Sequence, residues 1–132
     1  MSQTYYIYIL RCQDGSLYTG ITVDMLRRIA EHLAGGHKAA KYTRMHRPIA
    51  LEAVWQTQGK AAASWLEWRI KKLSRMHKEK LLCAPQQVCD LAQAAQKMEW
   101  TFEVVSAQER ERLWKEKDGK KSISHAPCSD GV

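Results

Sequence analysis

The hydrophobic and polar positions change period repeatedly along the first half of the chain. Tyr5–Cys12 and Ser16–Thr22 are short runs rich in aromatic and β-branched residues, separated by Asp14-Gly15, and together they predict a β-hairpin. The period then lengthens. Leu26, Ile29, Ala30 and Leu33 fall at helical spacing as a buried stripe. Asp24 stands where a carboxylate can accept from the orphan N–H groups of a first helical turn, and Gly35-Gly36 follows where a left-handed residue costs little. Pro48 opens a second alternating run, Ile49–Gln56, at a position where no ladder donor is required. There Ile49, Leu51, Ala53 and Trp55 alternate with Ala50, Glu52, Val54 and Gln56. After Gly59, Lys60–Leu73 reads as a helix with Leu66, Ile70 and Leu73 on its buried stripe, and Trp65 and Trp68 beside it as packing residues.

Beyond this point the pattern is mostly helical. Ser74 caps a predicted helix over Arg75–Leu82, and Pro85 opens another to Met98, with Val88, Leu91, Ala92 and Ala95 as its apolar face. Trp100–Val104 alternates like a strand, and Ser106–Glu109 forms a capping box for a charged helix to about Lys117. From Asp118 onward the chain is small and polar, the composition of a disordered tail. The fold class expected is α+β: a small central antiparallel sheet of about three strands, hairpin first, flanked by helices. Residues 1–84 form its domain, 85–117 a helical extension packed on the core, and 118–132 the tail.

The hairpin loop decides where the polar side chains point. A two-residue loop at Asp14-Gly15 would pair Arg11 with Tyr18 and send Tyr8 and Tyr18 to opposite faces. A three-residue loop, Gln13-Asp14-Gly15 with Gly15 at positive φ, pairs Leu10 with Tyr18 and Tyr8 with Gly20. The second geometry is expected. Arg28 and His32, four residues apart, share a helix face away from the apolar stripe. Two phenols, a guanidinium and an imidazole then meet near one patch. Ordinary strand packing is the plainer reading of the two tyrosines.

Charge sharpens the picture. The chain carries a net charge of +7, split as +8 through Ala84 and −1 after it. The excess sits with the hairpin and the helices that follow, and such a field attracts polyanions, of which nucleic acid is the usual one. His37–Arg47 has four Lys and Arg residues, two histidines and no acid, and reads as a loop. Lys38, Lys41, Arg44 and Arg47 suit phosphates, and Tyr42 offers a face for a base. Lys71 and Lys72, then Arg75, Lys78 and Lys80, extend the basic surface. Cys12, Cys83, Cys89 and Cys128 form no C-x-x-C pair and no zinc spacing, and are expected as buried or free thiols. No apolar run approaches a membrane span, and Met1–Tyr6 lacks the features of a secretory signal, so a cytoplasmic location is expected.

Tyr6-Ile7-Tyr8, Tyr18-Thr19-Gly20, Arg28, His32 and Glu67, in this order and spacing, resemble the GIY-YIG nuclease superfamily. Tyr6 replaces the glycine of its first motif and Thr19 the isoleucine of its second. The stretches L-R-C-Q-D-G-S-L-Y-T-G-I-T and R-I-K-K-L-S-R resemble the small single-domain bacterial members, and the resemblance spans roughly residues 4–83. Glu79 stands where some members have asparagine. The resemblance implies a metal-dependent DNA endonuclease in which Tyr8, Tyr18, Arg28, His32 and Glu67 are catalytic and Glu67 holds Mg²⁺ or Mn²⁺ against the phosphate. Taken alone, Glu67 reads as the helical ion-pair partner of Lys71.

A lone carboxylate fits Mg²⁺, which keeps several waters. Arg28 can offer two N–H donors to a phosphate. Tyr18, Tyr8 and His32 all remain open as the base. Exposed aromatics without a second DNA-reading element favour single-stranded or distorted DNA over plain duplex. A non-catalytic nucleic-acid-binding module, a basic protein-associated adaptor and a metal-independent RNase built on His32, His37 or His46 are the rival readings.

Overall fold

The structure, a computed structural model, describes residues 2–97 and 99–118. The expected tail, but for Asp118, lies outside the described residues. An antiparallel sheet of four strands, in the order β2-β1-β3-β4, sits between two layers of helices. Strands β1 (Thr4–Cys12) and β2 (Leu17–Thr22) form the hairpin. Its loop is the three-residue one: Leu10 pairs with Tyr18 and Tyr8 with Gly20, and Gly15 adopts φ +87°. Gly15 N–H donates to the Cys12 carbonyl at 2.8 Å, and Cys12 N–H to that of Ser16 at 2.8 Å, which closes the turn.

Helix α1 (Met25–Ala34) begins at Asp24, whose carboxylate accepts from Arg27 N–H, and ends at left-handed Gly35. It buries Met25, Ile29 and His32, so the imidazole belongs to the face turned towards the sheet. The segment expected as a basic loop contains a short helix, α2 (Lys41–Met45). Strand β3 (Pro48–Gln58) is central and outlasts its predicted length at both ends. Its alternation is not strict. Ile9 pairs with Ala53 but Leu10 with Leu51, so Glu52 is a bulge residue. The extra residue moves Leu51 away from the Ala53 and Trp55 side and into the cluster of Tyr8, Leu10 and Val54.

Helices α1 and α6 (Ala107–Asp118) cover that second face; Leu113 and Trp114 of α6 pack with Met25 and Ile29. The opposite face is covered by α3 (Lys60–Lys71), α4 (Arg75–Cys83) and α5 (Val88–Ala94). Ala62, Ala63, Leu66 and Ile70 meet Ile7, Ile9 and Trp55 there. Burying a side chain of this size stabilises by roughly 1.5–3 kcal/mol, and that packing holds α3 in place. The predicted helix from Pro85 is instead a 3₁₀ turn, Pro85–Gln87, followed by the short α5. The strand expected at Trp100–Val104 shrinks to β4 (Glu103–Val104), which pairs with β3 and adds a fourth strand to the sheet.

Buried Arg11 anchors α4 to the hairpin. Its Nε donates to Glu52 at 2.9 Å, and its two terminal nitrogens reach both oxygens of Glu79 at 2.8 and 3.0 Å. Arg75 also donates to Glu79 at 2.9 Å and to the Gly15 carbonyl at 2.7 Å. These donors hold the Glu79 carboxyl down at about 2, Arg11 foremost. Cys12 and Cys89 are free thiols, whereas Cys83 is disulfide-bonded, against the expectation of free thiols throughout.

Candidate active site

The site grows out of the Tyr8–Gly20 pair. Tyr8 lies on β1 with its ring folded over β2, and the absence of a side chain at Gly20 makes room for it. A Cβ on Gly20 would sit 2.5 Å from the Tyr8 hydroxyl oxygen, 2.7 Å from its Cζ and 3.1 Å from Tyr18 Cε2. The phenol so placed meets α1: Tyr8 Oη lies 2.7 Å from His32 Nε2. The other ring nitrogen, Nδ1, lies 2.7 Å from Thr43 Oγ1, and the Thr43 hydroxyl donates to the Ala40 carbonyl at 3.1 Å. Tyr8, His32 and Thr43 are each no more than 2 % exposed.

Tyr18, half-buried, joins the cluster through its ring, whose centroid lies 6.3 Å from that of Tyr8 in a tilted arrangement and 5.4 Å from that of His32 edge-on. Tyr42 of α2 stacks at 6.0 Å from Tyr18 and at 4.2 Å from His46. His46 Nδ1 in turn lies 2.9 Å from Asp14 Oδ2 at the hairpin turn. Bonds from Ser16 hold the Asp14 carboxyl below the usual range. The aromatic array therefore runs from the buried Tyr8 out to the surface and is pinned at both ends.

Arg28 is half-buried beside this array. Its Nη1 donates to Glu31 at 2.7 Å and to the Lys38 carbonyl at 2.6 Å, which fixes the guanidinium over the start of the basic segment. Burial pushes the Tyr8 phenol well above its ordinary pKa; a neighbouring Tyr18 charge adds to this, and Arg28 opposes it. Glu67 raises it slightly from α3 and so lies within electrostatic reach of the phenol. His32 is pushed down to about 4, by burial first and by Arg28 second, so the imidazole is neutral at pH 7.

Residues 4–80 match the GIY-YIG catalytic domain, more than half of the chain. The chain belongs to the GIY-YIG family. A UPF0213 protein of Fusobacterium nucleatum is 43 % identical over 81 residues, which are 61 % of this chain and 79 % of that protein. A UPF0213 protein of Halalkalibacterium halodurans is 49 % identical over 59 % of this chain and 81 % of its own length. One of Halobacterium salinarum is 46 % identical over 58 % and 97 %. A solution NMR structure of a UPF0213 protein from Bacillus halodurans shares 48 % identity over 60 % of this chain and 82 % of that chain, with a TM-score of 0.41.

Within this GIY-YIG domain the expected residues divide into two groups. Tyr8, Tyr18, Arg28 and His32 form the cluster, with Glu67 across from it on α3. Glu67 also pairs with Lys71 at 3.4 Å, as the helical spacing expects. Lys38, Lys41, Arg44 and Arg47 lie exposed on and around α2. Tyr42 was expected to offer a face to a base; its ring already stacks on His46. Trp68 departs from its reading as a packing residue: it is 55 % exposed, with Lys72 Nζ 5.9 Å from its ring centroid. Glu79, at the position where some family members have asparagine, is engaged by Arg11 and Arg75 and takes no part in the cluster.

The sequence reading missed Thr43 as the partner of His32. A lone threonine in a basic segment carries no signal for that contact. The seat that Gly20 provides for Tyr8 could have been read from the predicted Tyr8–Gly20 pair.

Proposed function

We propose that this chain is a divalent-metal-dependent endonuclease that hydrolyses phosphodiester bonds in DNA. The observation that carries this is the convergence of Tyr8, Tyr18, Arg28 and His32 on a basic surface, with the Glu67 carboxylate within electrostatic reach of the Tyr8 phenol. Phosphodiester hydrolysis needs an activated water, neutralised phosphoryl charge and help for the departing oxygen. Arg28, already braced by Glu31 and the Lys38 carbonyl, presents its guanidinium to the phosphate. Tyr18 is the half-buried phenol of the cluster and meets the water; Tyr8 stays protonated behind it.

Glu67 would hold the ion. Among the described residues no group of three or more His, Cys, Asp or Glu converges on one point. A single carboxylate suits Mg²⁺ or Mn²⁺ that takes the rest of its shell from phosphate and water, and Lys71 must yield to it. Such an ion supplies Lewis-acid charge at the phosphate.

Lys38, Lys41, Arg44 and Arg47 would track the backbone on one side and Lys71 and Lys72 on the other. Exposed Trp68, next to Glu67 in sequence, offers a stacking surface for an unpaired base, which supports single-stranded or distorted DNA as the substrate. The proposed location is the cytoplasm. No helix among the described residues is long and apolar enough to cross a membrane.

Labelled single-stranded, flapped and duplex DNA, and RNA, incubated with Mg²⁺, Mn²⁺ or EDTA test this reading. Metal-dependent cutting that favours unpaired DNA supports it. Cutting that persists in EDTA contradicts the metal role, and tight binding without cutting in any metal favours a non-catalytic module.

A further inference from the structure

Thr43 sits on α2 between the residues expected to meet DNA, Tyr42 and Arg44, yet its side chain is turned inward and is 2 % exposed. Its hydroxyl has one proton and faces two partners: His32 Nδ1 at 2.7 Å and the Ala40 carbonyl at 3.1 Å. A carbonyl can only accept, so that contact is a hydrogen bond only if Thr43 spends its proton there. The Thr43 oxygen must then accept from Nδ1–H. In a neutral imidazole that leaves Nε2 bare, and the Tyr8 hydroxyl, 2.7 Å away, donates to it.

The opposite order fails at both ends. Were Nε2 to carry the proton, Tyr8 would have to turn its own O–H elsewhere. Arg28, which hydrogen-bonds the phenol, has five donors and no acceptor and so cannot take that proton. At the other end the Thr43 and Ala40 oxygens would face each other at 3.1 Å with no proton between them. The Ala40 carbonyl also accepts from Arg44 N–H at 3.0 Å, but only the first order makes both short oxygen contacts of the cluster hydrogen bonds, without a bare oxygen–oxygen approach or a displaced Tyr8 proton.

We propose that Thr43 is a positioning residue that fixes His32 as the Nδ1–H tautomer, so that Tyr8 donates to Nε2 and turns its oxygen lone pairs towards Arg28. Thr43 thereby ties the phosphate-binding guanidinium to the helix that carries Lys41 and Arg44. Its effect on turnover rests on the nuclease reading; the tautomer does not.

The test joins ¹⁵N-resolved NMR of the His32 ring with cleavage kinetics for the wild type, Thr43→Val and Thr43→Ser. Valine keeps the shape and removes the hydroxyl. The wild type is expected to show protonated Nδ1 and bare Nε2 at pH 7. Thr43→Val should lose that signature and lower kcat on the order of 10–100-fold, the usual cost of removing the partner that orients a functional imidazole, with KM changed little. Thr43→Ser should restore both. A wild-type imidazole protonated on Nε2, or a valine variant with unchanged spectrum and turnover, overturns the proposal. Absence of cleavage by the wild type, with the expected spectrum, sinks the nuclease reading and leaves the tautomer assignment supported.

Discussion

Gly20→Ala is the smallest change that should dismantle the site. Gly20 is not among the residues at positive φ, so alanine meets no backbone strain there. The whole effect comes from one methyl group placed 2.5 Å from Tyr8 Oη and 2.7 Å from its Cζ, separations that real Cβ atoms essentially never show. The ring must move by the better part of an ångström to reach ordinary contact. Overpacking of this kind costs roughly 1–3 kcal/mol. The shift also stretches the 2.7 Å bond to His32, and leaving buried partners unpaired costs about 1–3 kcal/mol more. Together the variant should lose about 2–6 kcal/mol in urea unfolding. Its cleavage rate should fall about 100-fold, since a misplacement near 1 Å costs that much. Gly15→Ala is the control. It has open space around it but a φ of +87°, so it should cost about 1–2 kcal/mol through the backbone and leave turnover alone. A Gly20→Ala protein with wild-type stability and turnover would refute the reasoning.

Other expectations follow from the same contacts. His32, pushed down to about 4 in the folded protein, charges near its ordinary 6.5 once unfolded. The unfolded chain therefore binds more protons between these values. Stability should fall as pH drops from 6.5 to 4, by up to about 1.4 kcal/mol per unit, and His32→Gln should flatten that limb of a urea-against-pH series. Glu79→Ala should cost about 2 kcal/mol in urea unfolding, because buried Arg11 loses a bidentate partner and keeps Glu52. Trp68→Ala should weaken single-stranded DNA binding by about 1–3 kcal/mol in a fluorescence-anisotropy titration, with a smaller effect on duplex.

The local rules carried most of the fold. The hairpin register followed from one glycine, because only a three-residue loop with Gly15 at positive φ puts Tyr8 opposite Gly20. Asp24, Gly35 and Ser74 cap their helices as their chemistry dictates. Strict alternation failed at Glu52, where the bulge depends on Arg11 and, through it, on Glu79 in a helix 27 residues later. No local pattern announces a long-range ion pair. The Ser106-capped helix formed as expected, but the elements expected between Pro85 and Val104 came out shorter for a similar reason. The course of that stretch is set by contacts to the sheet: Trp55 Nε1 to the Pro85 carbonyl at 2.9 Å, and Thr57 to that of Thr101 at 2.8 Å. At the site, Tyr8, Tyr18, Arg28 and His32 do lie together, but His32 sits on the buried, sheet-facing side of α1 with Met25 and Ile29, where its spacing from Arg28 had suggested a face away from the apolar stripe. Trp68 was misread because an aromatic beside an apolar stripe looks the same whether it turns in or out. Thr43 stayed invisible because its role exists only through His32.

The central claim is that Glu67 serves phosphodiester chemistry and does more than pair with Lys71. The most direct test measures cleavage of a labelled single-stranded oligonucleotide across a Mg²⁺ titration, comparing the wild type with Glu67→Ala and Lys71→Ala. The account predicts saturable metal-dependent cutting by the wild type, loss of cutting by more than about 100-fold in Glu67→Ala, and retained cutting in Lys71→Ala. Equal, metal-dependent cutting by the wild type and Glu67→Ala would contradict it and return Glu67 to the role of a surface ion-pair partner.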